Sequence, residues 1–275
     1  MRKSNSATIN RDWHEISRSI RRVVRPTAMV DLLGTDFKLH SEARTSGAER
    51  DYAFLRELAR GKHCIFDVGA NVGLTALVMV GEMAPDGRLI AFETSEDGCR
   101  MIRDHAAFNG YGDRIHVVNA LIAERSGLTI DFFGDSASGG SSIIPGYLGH
   151  QQPLSKATLA LDDFIANTGF LPDLIKVDVE GAEARVLAGL GQTLTTTRPV
   201  LFVELHSWDG SSVPDMATKL LTQLNPVNYQ MVYLRRKEVV EDPAMFEGRG
   251  RCHVLLCPNE SPLLNDLSSL NTDDL

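Results

Sequence analysis

The sequence has no apolar stretch approaching the roughly 18 residues that a membrane-spanning helix needs. Its amino terminus also lacks an apolar segment followed by small residues, which a secretory signal requires. Its four cysteines do not have the paired spacing of a metal site, so we expect free thiols in a reducing compartment. These absences predict a cytoplasmic protein, and 275 residues of which 43% are hydrophobic suffice for one large domain.

Charge is spread unevenly along the chain, whose net value is −8. Residues 1–26 carry seven lysines and arginines against Asp12 and Glu15, which gives +5 and leaves −13 for the rest. An acidic body disfavours nucleic acid as a partner, because phosphate backbones need many neutralising cations. Residues 11–25 have the apolar spacing of an amphipathic helix, which either packs on the domain or associates peripherally with a membrane surface or a partner.

From residue 64 onward, short apolar runs alternate with amphipathic segments. The first run, CIFDV at 64–68, is typical of a strand that helices cover on both faces. Strands are predicted at 64–68, 88–92, 115–119, 174–179, 200–205, 229–234 and 253–257. Helices between them are predicted at 73–83, 96–108, 181–190 and 213–224. This alternation predicts an α/β fold with a doubly wound, mostly parallel seven-stranded sheet.

The segments outside this pattern are predicted individually. Residues 29–39 indicate a short hairpin, and a capping box formed by Ser46 and Glu49 is expected to begin a helix. Residues 134–156 form a long Gly/Ser-rich loop, a candidate substrate lid. The polar, acidic tail at 258–275 is predicted to be disordered. The predicted domains are therefore an arm with a hairpin at 1–44, a main domain at 45–257 and a tail at 258–275.

The strongest local motif is DVGANVG at 67–73, where the first strand of the predicted sheet passes into a helix. Glycines at this junction remove side-chain bulk and allow the backbone to approach a bound ligand. The spacing differs from the dinucleotide fingerprint G-x-G-x-x-G, and it lacks the Gly-Lys-Ser/Thr of a phosphate loop. The motif therefore favours a cofactor without phosphate, against the alternative of a turn that serves packing alone.

A glutamate supports the same interpretation. Glu93 follows Gly73 by 20 residues and ends the adjacent strand of the predicted sheet. A carboxylate at that position accepts hydrogen bonds from both hydroxyls of a ribose, which suits adenosine-containing ligands. An isolated glutamate at a strand end is usually solvated, but its combination with the glycine loop favours a ligand contact.

With three later segments, these two motifs resemble the FkbM-type methyltransferases over about residues 45–235. The matching segments are DVGANVG (67–73), AFE (91–93), LDD (161–163), IKVDVEGAE (175–183) and FVELH (202–206). The resemblance implies a class I, Rossmann-like methyltransferase fold, S-adenosylmethionine as methyl donor, and transfer mainly to hydroxyls of sugars, glycans or natural products. It also implies that the methionine part is surrounded by Asp67, Gly69, Asn71 and Gly73, the ribose held by Glu93, and the adenine flanked by Asn119 and Ala120.

Methyl transfer to a hydroxyl needs an acceptor oxygen within about 3–3.5 Å of the methyl carbon and a means of removing its proton. Strand alternation places Lys176, Asp178 and Glu180 on one side of the fourth strand, so all three are candidate catalytic residues. The next strand ends in Glu204 and His206. If the sheet has the usual methyltransferase order, these carboxyl ends meet at the cofactor.

Two mechanisms remain open at these residues. In the first, Asp178 or His206 is the general base, while Lys176 orients the substrate or lowers the pKa of a neighbour. In the second, Asp178, Glu204 and His206 hold Mg²⁺ or a similar divalent cation that binds the acceptor oxygens. The alternative is that Lys176 and Glu183 are structural ion-pair partners.

Other functions also remain open. A nicotinamide dehydrogenase shares the strand order and the ribose carboxylate, but its glycine spacing is absent here. A non-catalytic binding protein with the same fold is a second alternative, although Asp178, Glu180 and Glu204 are all present. Methylation of nitrogen is disfavoured, because no Asn-Pro-Pro-Tyr-like segment follows the fourth strand.

Overall fold

The computed structural model describes residues 26–43, 49–135, 140–145, 152–208 and 210–270. Its strands are β1 (Thr27–Leu32), β2 (Thr35–His40), β3 (Cys64–Val68), β4 (Arg88–Glu93), β5 (Ile115–Asn119), β6 (Leu121–Ile122), β7 (Thr129–Asp135), β8 (Gly140–Ser142), β9 (Leu154–Leu159), β10 (Leu174–Val177), β11 (Val200–His206), β12 (Tyr229–Tyr233), β13 (Glu238–Val239) and β14 (Arg251–Pro258). Its α-helices are α1 (Glu49–Ala59), α2 (Leu74–Val80), α3 (Glu96–Phe108), α4 (Leu161–Thr168), α5 (Glu183–Ala188), α6 (Gly191–Thr196) and α7 (Val213–Leu224).

Among the described residues, eight strands form the central sheet, in the order β13-β12-β14-β11-β10-β3-β4-β5. Neighbours from β11 to β5 are parallel, whereas β14 runs antiparallel between β11 and β12. The predicted α/β sheet is confirmed, but the predicted count of seven strands is corrected by the two-residue β13. Strand order reverses between β3 and β10, so a ligand cleft is expected at the carboxyl ends of these two strands.

Apolar side chains cover both faces of this sheet, and β3 is therefore buried at all five positions. On one face, Phe54 of α1 and Leu77 of α2 belong to the core cluster. On the other face, Phe66 of β3 packs edge-to-face against Phe92 of β4 and Phe164 of α4. The helices on the two faces hold the strand ends, and with them the cleft, in fixed positions.

A second sheet of four strands lies beside β4, in the order β6-β9-β7-β8. It accounts for part of the segment 134–156, which the sequence predicts to be one long loop. Within that segment β8 pairs antiparallel with β7, and β9 begins at Leu154. These strands form because their backbones hydrogen-bond to other segments of the chain. The Gly/Ser composition of residues 134–156 alone does not predict such pairing. Residues 136–139 and 146–151 lie outside the described part of this segment.

The predicted hairpin is present as the antiparallel pair β1 and β2. Leu32, Phe37 and Leu39 of this hairpin are buried in the same apolar cluster as α1 and α2. The hairpin is thus part of the packed core on one face of the central sheet. The predicted helix at 11–25 and Ser46 of the predicted capping box lie outside the described residues.

The structure corrects two predictions, one for the helix at 181–190 and one for the tail at 258–275. The helix predicted at 181–190 begins at Glu183, and a separate helix, α6, follows it. The tail was expected to be disordered from residue 258, but 3₁₀ helices occur at Pro262–Leu264 and Leu267–Ser269. Leucines of this tail pack against the core cluster, which gives the segment the apolar contacts that its acidic composition conceals. No helix among the described residues is both long and apolar enough to cross a bilayer.

Candidate active site

The loop after β3 is built around a close backbone contact. Gly69 has φ +78°, and a Cβ placed there would lie 1.8 Å from the carbonyl oxygen of Asp178. Gly73, with φ +85°, is the N-cap of α2, and its missing side chain leaves room for Ile102 of α3. The loop therefore presses against the end of β10 at the point where the strand order reverses, which only glycine at residue 69 permits.

The carboxylate of Glu93 is buried at the end of β4 and organises the backbone around it. It accepts hydrogen bonds from the N–H groups of Asn71 (2.9 Å) and Ser95 (2.7 Å). Burial raises the pKa of Glu93 to about 7, although these two backbone donors act to lower it. Each carboxylate oxygen retains a further lone pair, so Glu93 has the capacity to accept hydrogen bonds from ligand hydroxyls.

Asn119 and Ala120 lie at the end of the neighbouring strand, β5. The Asn119 side-chain amide donates to the carbonyls of Glu93 (3.0 Å) and Thr94 (2.9 Å), so it ties strand ends together on an exposed edge. Ala120 is buried, and its N–H donates to the Glu93 carbonyl at 3.1 Å. Of the pair predicted beside an adenine, Ala120 lines the pocket described next, and Asn119 does not.

A pocket of about 620 Å³, including its open mouth, lies at these strand ends. Six predicted site residues line it: Gly69, Asn71, Glu93, Ala120, Asp178 and Glu180. Three further lining residues, Phe132, Ser142 and Ile143, come from the second sheet and the residue after it. Sequence reasoning missed Phe132 and Ile143, and the only signal for them was their apolar character beside the Gly/Ser-rich segment.

Lys176 lies beneath the pocket, only 4% exposed. Its ammonium donates to the Gly69 carbonyl at 2.9 Å and pairs with Asp67 at 3.2 Å and Asp178 at 3.4 Å. Burial acts to lower the pKa of Lys176, but the two aspartates raise it well above its usual value. Asp67 is itself fully buried and also accepts the Thr75 hydroxyl at 2.7 Å. Lys176 therefore forms a structural ion pair that links β3, β10 and the glycine loop, but its partners are Asp67 and Asp178, whereas Glu183 contacts His206.

Asp178 and Glu180 bring carboxylates to the pocket from the turn after β10, because that strand ends at Val177 and not at residue 179 as predicted. Burial acts to raise the pKa of Asp178, but Lys176 and His206 hold it below its usual range. Glu180 has a left-handed backbone, with φ +50°, and its carbonyl accepts the Ser142 hydroxyl at 2.5 Å. A non-glycine residue in that conformation is uncommon and often marks a functional turn.

His206 ends β11 and is surrounded by carboxylates. Its Nδ1 is 2.8 Å from Glu183, and its Nε2 is 3.4 Å from Glu180 and 3.8 Å from Asp178. Burial opposes the charged ring, yet the bond to Glu183 and the neighbouring carboxylates raise the pKa of His206 to about 10. An imidazolium has no free lone pair at neutral pH, so the geometry favours Asp178 over His206 as the general base.

The predicted metal ligands Asp178, Glu204 and His206 do converge, with ligand atoms within 4.8 Å of one another. However, cations of the chain already face these carboxylates. Lys176 pairs with Asp178, and Arg251 lies 3.1 Å from Glu204. A metal-bound imidazole nitrogen must be deprotonated, which the carboxylates around His206 disfavour. These residues therefore do not favour a divalent cation at this position.

Comparisons with known proteins identify the family of the chain. A model of the methyltransferase FkbM domain matches residues 67–231, which is more than half of the chain. The chain is also similar to the 2-O-methyltransferase NoeI of Sinorhizobium fredii (strain NBRC 101917 / NGR234), with 33% identity over 150 residues. That alignment covers 49% of this chain and 60% of the relative, so this chain spans less than two thirds of the relative's length.

Two solved structures are similar at low identity. Methyltransferase FkbM from Methylobacillus flagellatus KT shares 18% identity at a TM-score of 0.45, over 72% of this chain and 44% of that one. The O-methyltransferase from Bacillus cereus in complex with SAH shares 13% identity at a TM-score of 0.45, over 88% of both chains. The matched region 67–231 contains the glycine loop, Glu93, Asp178 and Glu204, and this chain belongs to the FkbM family of methyltransferases.

Proposed function

We propose that this protein is an S-adenosylmethionine-dependent O-methyltransferase that acts on a hydroxyl of a sugar, glycan or natural product. The observation that carries the proposal is one pocket lined both by Glu93, a buried carboxylate suited to a ribose, and by Asp178, a carboxylate suited to an alcohol. The similarity to NoeI, a 2-O-methyltransferase, supports oxygen as the acceptor atom.

S-adenosylmethionine would occupy the pocket with its ribose, methionine and adenine parts against different residues. We place the ribose at Glu93, the methionine part along the loop from Gly69 to Gly73 with Asp67 and Asn71, and the adenine beside Ala120, with Asn119 holding that strand end. Gly69 supports this placement, because it brings the loop against the Asp178 carbonyl, where a Cβ would not fit. When bound, the sulfonium of S-adenosylmethionine supplies an electrophilic methyl group.

The acceptor part of the proposal places the hydroxyl against Asp178. The Asp178 carboxylate would accept a hydrogen bond from the acceptor hydroxyl and take up its proton, while the methyl group would pass from the sulfonium sulfur to the oxygen and leave S-adenosylhomocysteine. Its low pKa keeps the carboxylate ionised and ready to accept at neutral pH. Glu180 and the Nε2–H of His206 flank the same position and orient the acceptor.

The test begins with cofactor binding, because it needs no knowledge of the acceptor. Calorimetry with S-adenosylhomocysteine is expected to show binding by the wild type, on the order of micromolar, and a loss of at least about tenfold in Glu93→Ala. Glu96→Ala is the matched control, since it removes an exposed carboxylate three residues away in the first turn of α3. Its affinity is expected to equal that of the wild type.

The second stage measures transfer of a labelled methyl group to a panel of hydroxylated sugars and natural products. Asp178→Asn is expected to retain S-adenosylhomocysteine binding and to lose transfer, because the amide cannot remove a proton. Wild-type protein that binds no S-adenosylhomocysteine contradicts the proposal. Binding without transfer to any member of the panel leads instead to the non-catalytic alternative.

A further inference from the structure

His105 is a completely buried histidine of α3 that lies outside the proposed pocket lining. Its Nδ1 is 2.8 Å from the carbonyl oxygen of Val72, in the loop after β3. Its Nε2 is 3.0 Å from the backbone N–H of His40, at the end of the hairpin. A carbonyl needs a donor and an N–H needs an acceptor, so these two partners define a neutral ring with the proton on Nδ1.

The hairpin side of this bridge is firmly held by the last turn of α3. The Asn109 side chain accepts the Lys38 N–H at 2.8 Å and donates to the Lys38 carbonyl at 2.9 Å. His40 Nε2 also lies 2.8 Å from a carboxylate oxygen of Asp104. These contacts fix β2 relative to α3, and His105 connects the same strand to the glycine loop.

The loop side of the bridge is the proposed cofactor site. Ile102, one turn before His105, fills the space that Gly73 leaves open. Ser95, the N-cap of the same helix, donates its N–H to Glu93. Residues 95, 102, 105 and 109 recur at helical spacing, so one face of α3 extends from the ribose carboxylate to the hairpin. The hairpin lies outside residues 67–231, the part of the chain that matches the family model. His105 hydrogen-bonds both to this hairpin and to the glycine loop.

We infer that His105 is a positioning residue that fixes the loop from Gly69 to Gly73, and with it cofactor affinity, through the hydrogen bond from its Nδ1–H to the Val72 carbonyl. The expected effect on cofactor affinity rests on the proposed function, whereas the expected effect on the position of the loop does not. Without the Nδ1–H donor, the Val72 carbonyl is left unpaired inside the core, and the loop from Gly69 to Gly73 must shift to satisfy it.

Two substitutions separate the two bonds of the ring. In His105→Asn, the amide group reaches the position of Nδ1 and keeps a donor for Val72. In His105→Gln, the longer side chain reaches the position of Nε2 and keeps an acceptor for His40. Both shrink or reshape the buried side chain, so both are expected to lower Tm. Only His105→Gln is expected to weaken S-adenosylhomocysteine binding, by about tenfold, and to raise the KM for the methyl donor without raising that for the acceptor.

Hydrogen exchange provides a readout that needs no ligand. The amides of Gly69, Ala70 and Gly73 are hydrogen-bonded within or beside the loop, and His105→Gln is expected to speed their exchange more than His105→Asn does. Equal exchange in both variants, or affinity losses that follow Tm alone, would overturn the inference. A wild type that does not bind S-adenosylhomocysteine would instead contradict the proposed function, and the exchange result would still decide the role of His105.

Discussion

At the scale of single residues, Gly69 is where backbone geometry and the proposed site depend on each other most directly. Gly69→Ala is expected to destabilise the protein by at least about 3 kcal/mol, because a left-handed alanine is strained and its Cβ overlaps the Asp178 carbonyl. Urea unfolding measures this change, and calorimetry is expected to show that S-adenosylhomocysteine binding is lost with it.

Gly61→Ala provides the matched control for that prediction. Gly61 has a similar φ, +70°, but a Cβ there meets nothing within 4 Å. Its substitution is expected to cost only the left-handed penalty, about 1–2 kcal/mol, and to leave cofactor binding unchanged. Equal losses of stability in the two variants would show that the approach of Gly69 to β10 is unimportant.

The protonation state of His206 does not follow from its position in the sequence. A histidine at a strand end suits a general base, which is one of the two roles that the sequence predicts for it. Its protonation depends on Glu183, Glu180 and Asp178, which lie 23 to 28 residues away along the chain. Those contacts are created by the packing of β10, α5 and β11, and they favour an imidazolium.

At the scale of secondary-structure elements, the pairing of β3 with β10 is supported by a buried ion pair. Lys176→Met is expected to destabilise the protein by about 3–5 kcal/mol, because the carboxylates of Asp67 and Asp178 are left without their cation. The denaturant midpoint is expected to fall in urea unfolding with an unchanged m-value.

Lys219→Met is the control for this charge removal, since Lys219 is exposed on α7. It is expected to change the free energy of unfolding by no more than about 0.5 kcal/mol. The double variant Asp67→Asn, Lys176→Met is expected to recover part of the stability that Lys176→Met loses. A double variant that is less stable than Lys176→Met would contradict a pairing role for Lys176.

The helices also show how far local sequence patterns extend. The pattern at 181–190 predicts one helix, but the chain forms α5 and α6 in succession. Asp162 of α4 accepts the N–H groups of Gln192 (2.8 Å) and Thr193 (3.0 Å), so a carboxylate 30 residues away caps α6. Rules based on neighbouring residues do not predict a helix cap that comes from a distant segment.

At the scale of the whole molecule, the carboxyl-terminal segment completes the core. Ending the chain after Asn259 is expected to lower Tm by about 5–10 °C, because Leu263, Leu264, Leu267 and Leu270 leave the core cluster. The ion pair between Arg198 and Glu260 is lost in the same step. Calorimetric unfolding of the shortened protein measures the change.

Ending the chain after Leu270 is the control, since it removes none of the contacts of the described tail. Its Tm is expected to equal that of the full chain. If the chain ending at Asn259 unfolds at the wild-type temperature, the tail adds no stability. The tail would then be disordered, as its composition predicts.

The sequence by itself determined the parallel α/β sheet, since continuous apolar runs such as β3 suit only strands covered on both faces. It also determined the positions of the glycine loop and Glu93, because their spacing follows from one strand–helix–strand unit. The tertiary structure decided what depends on distant contacts: the eighth strand, the second sheet, the ordered tail, the ion pairs of Lys176 and the charge of His206. Each of these arises between segments far apart in the chain, where local pattern carries no information.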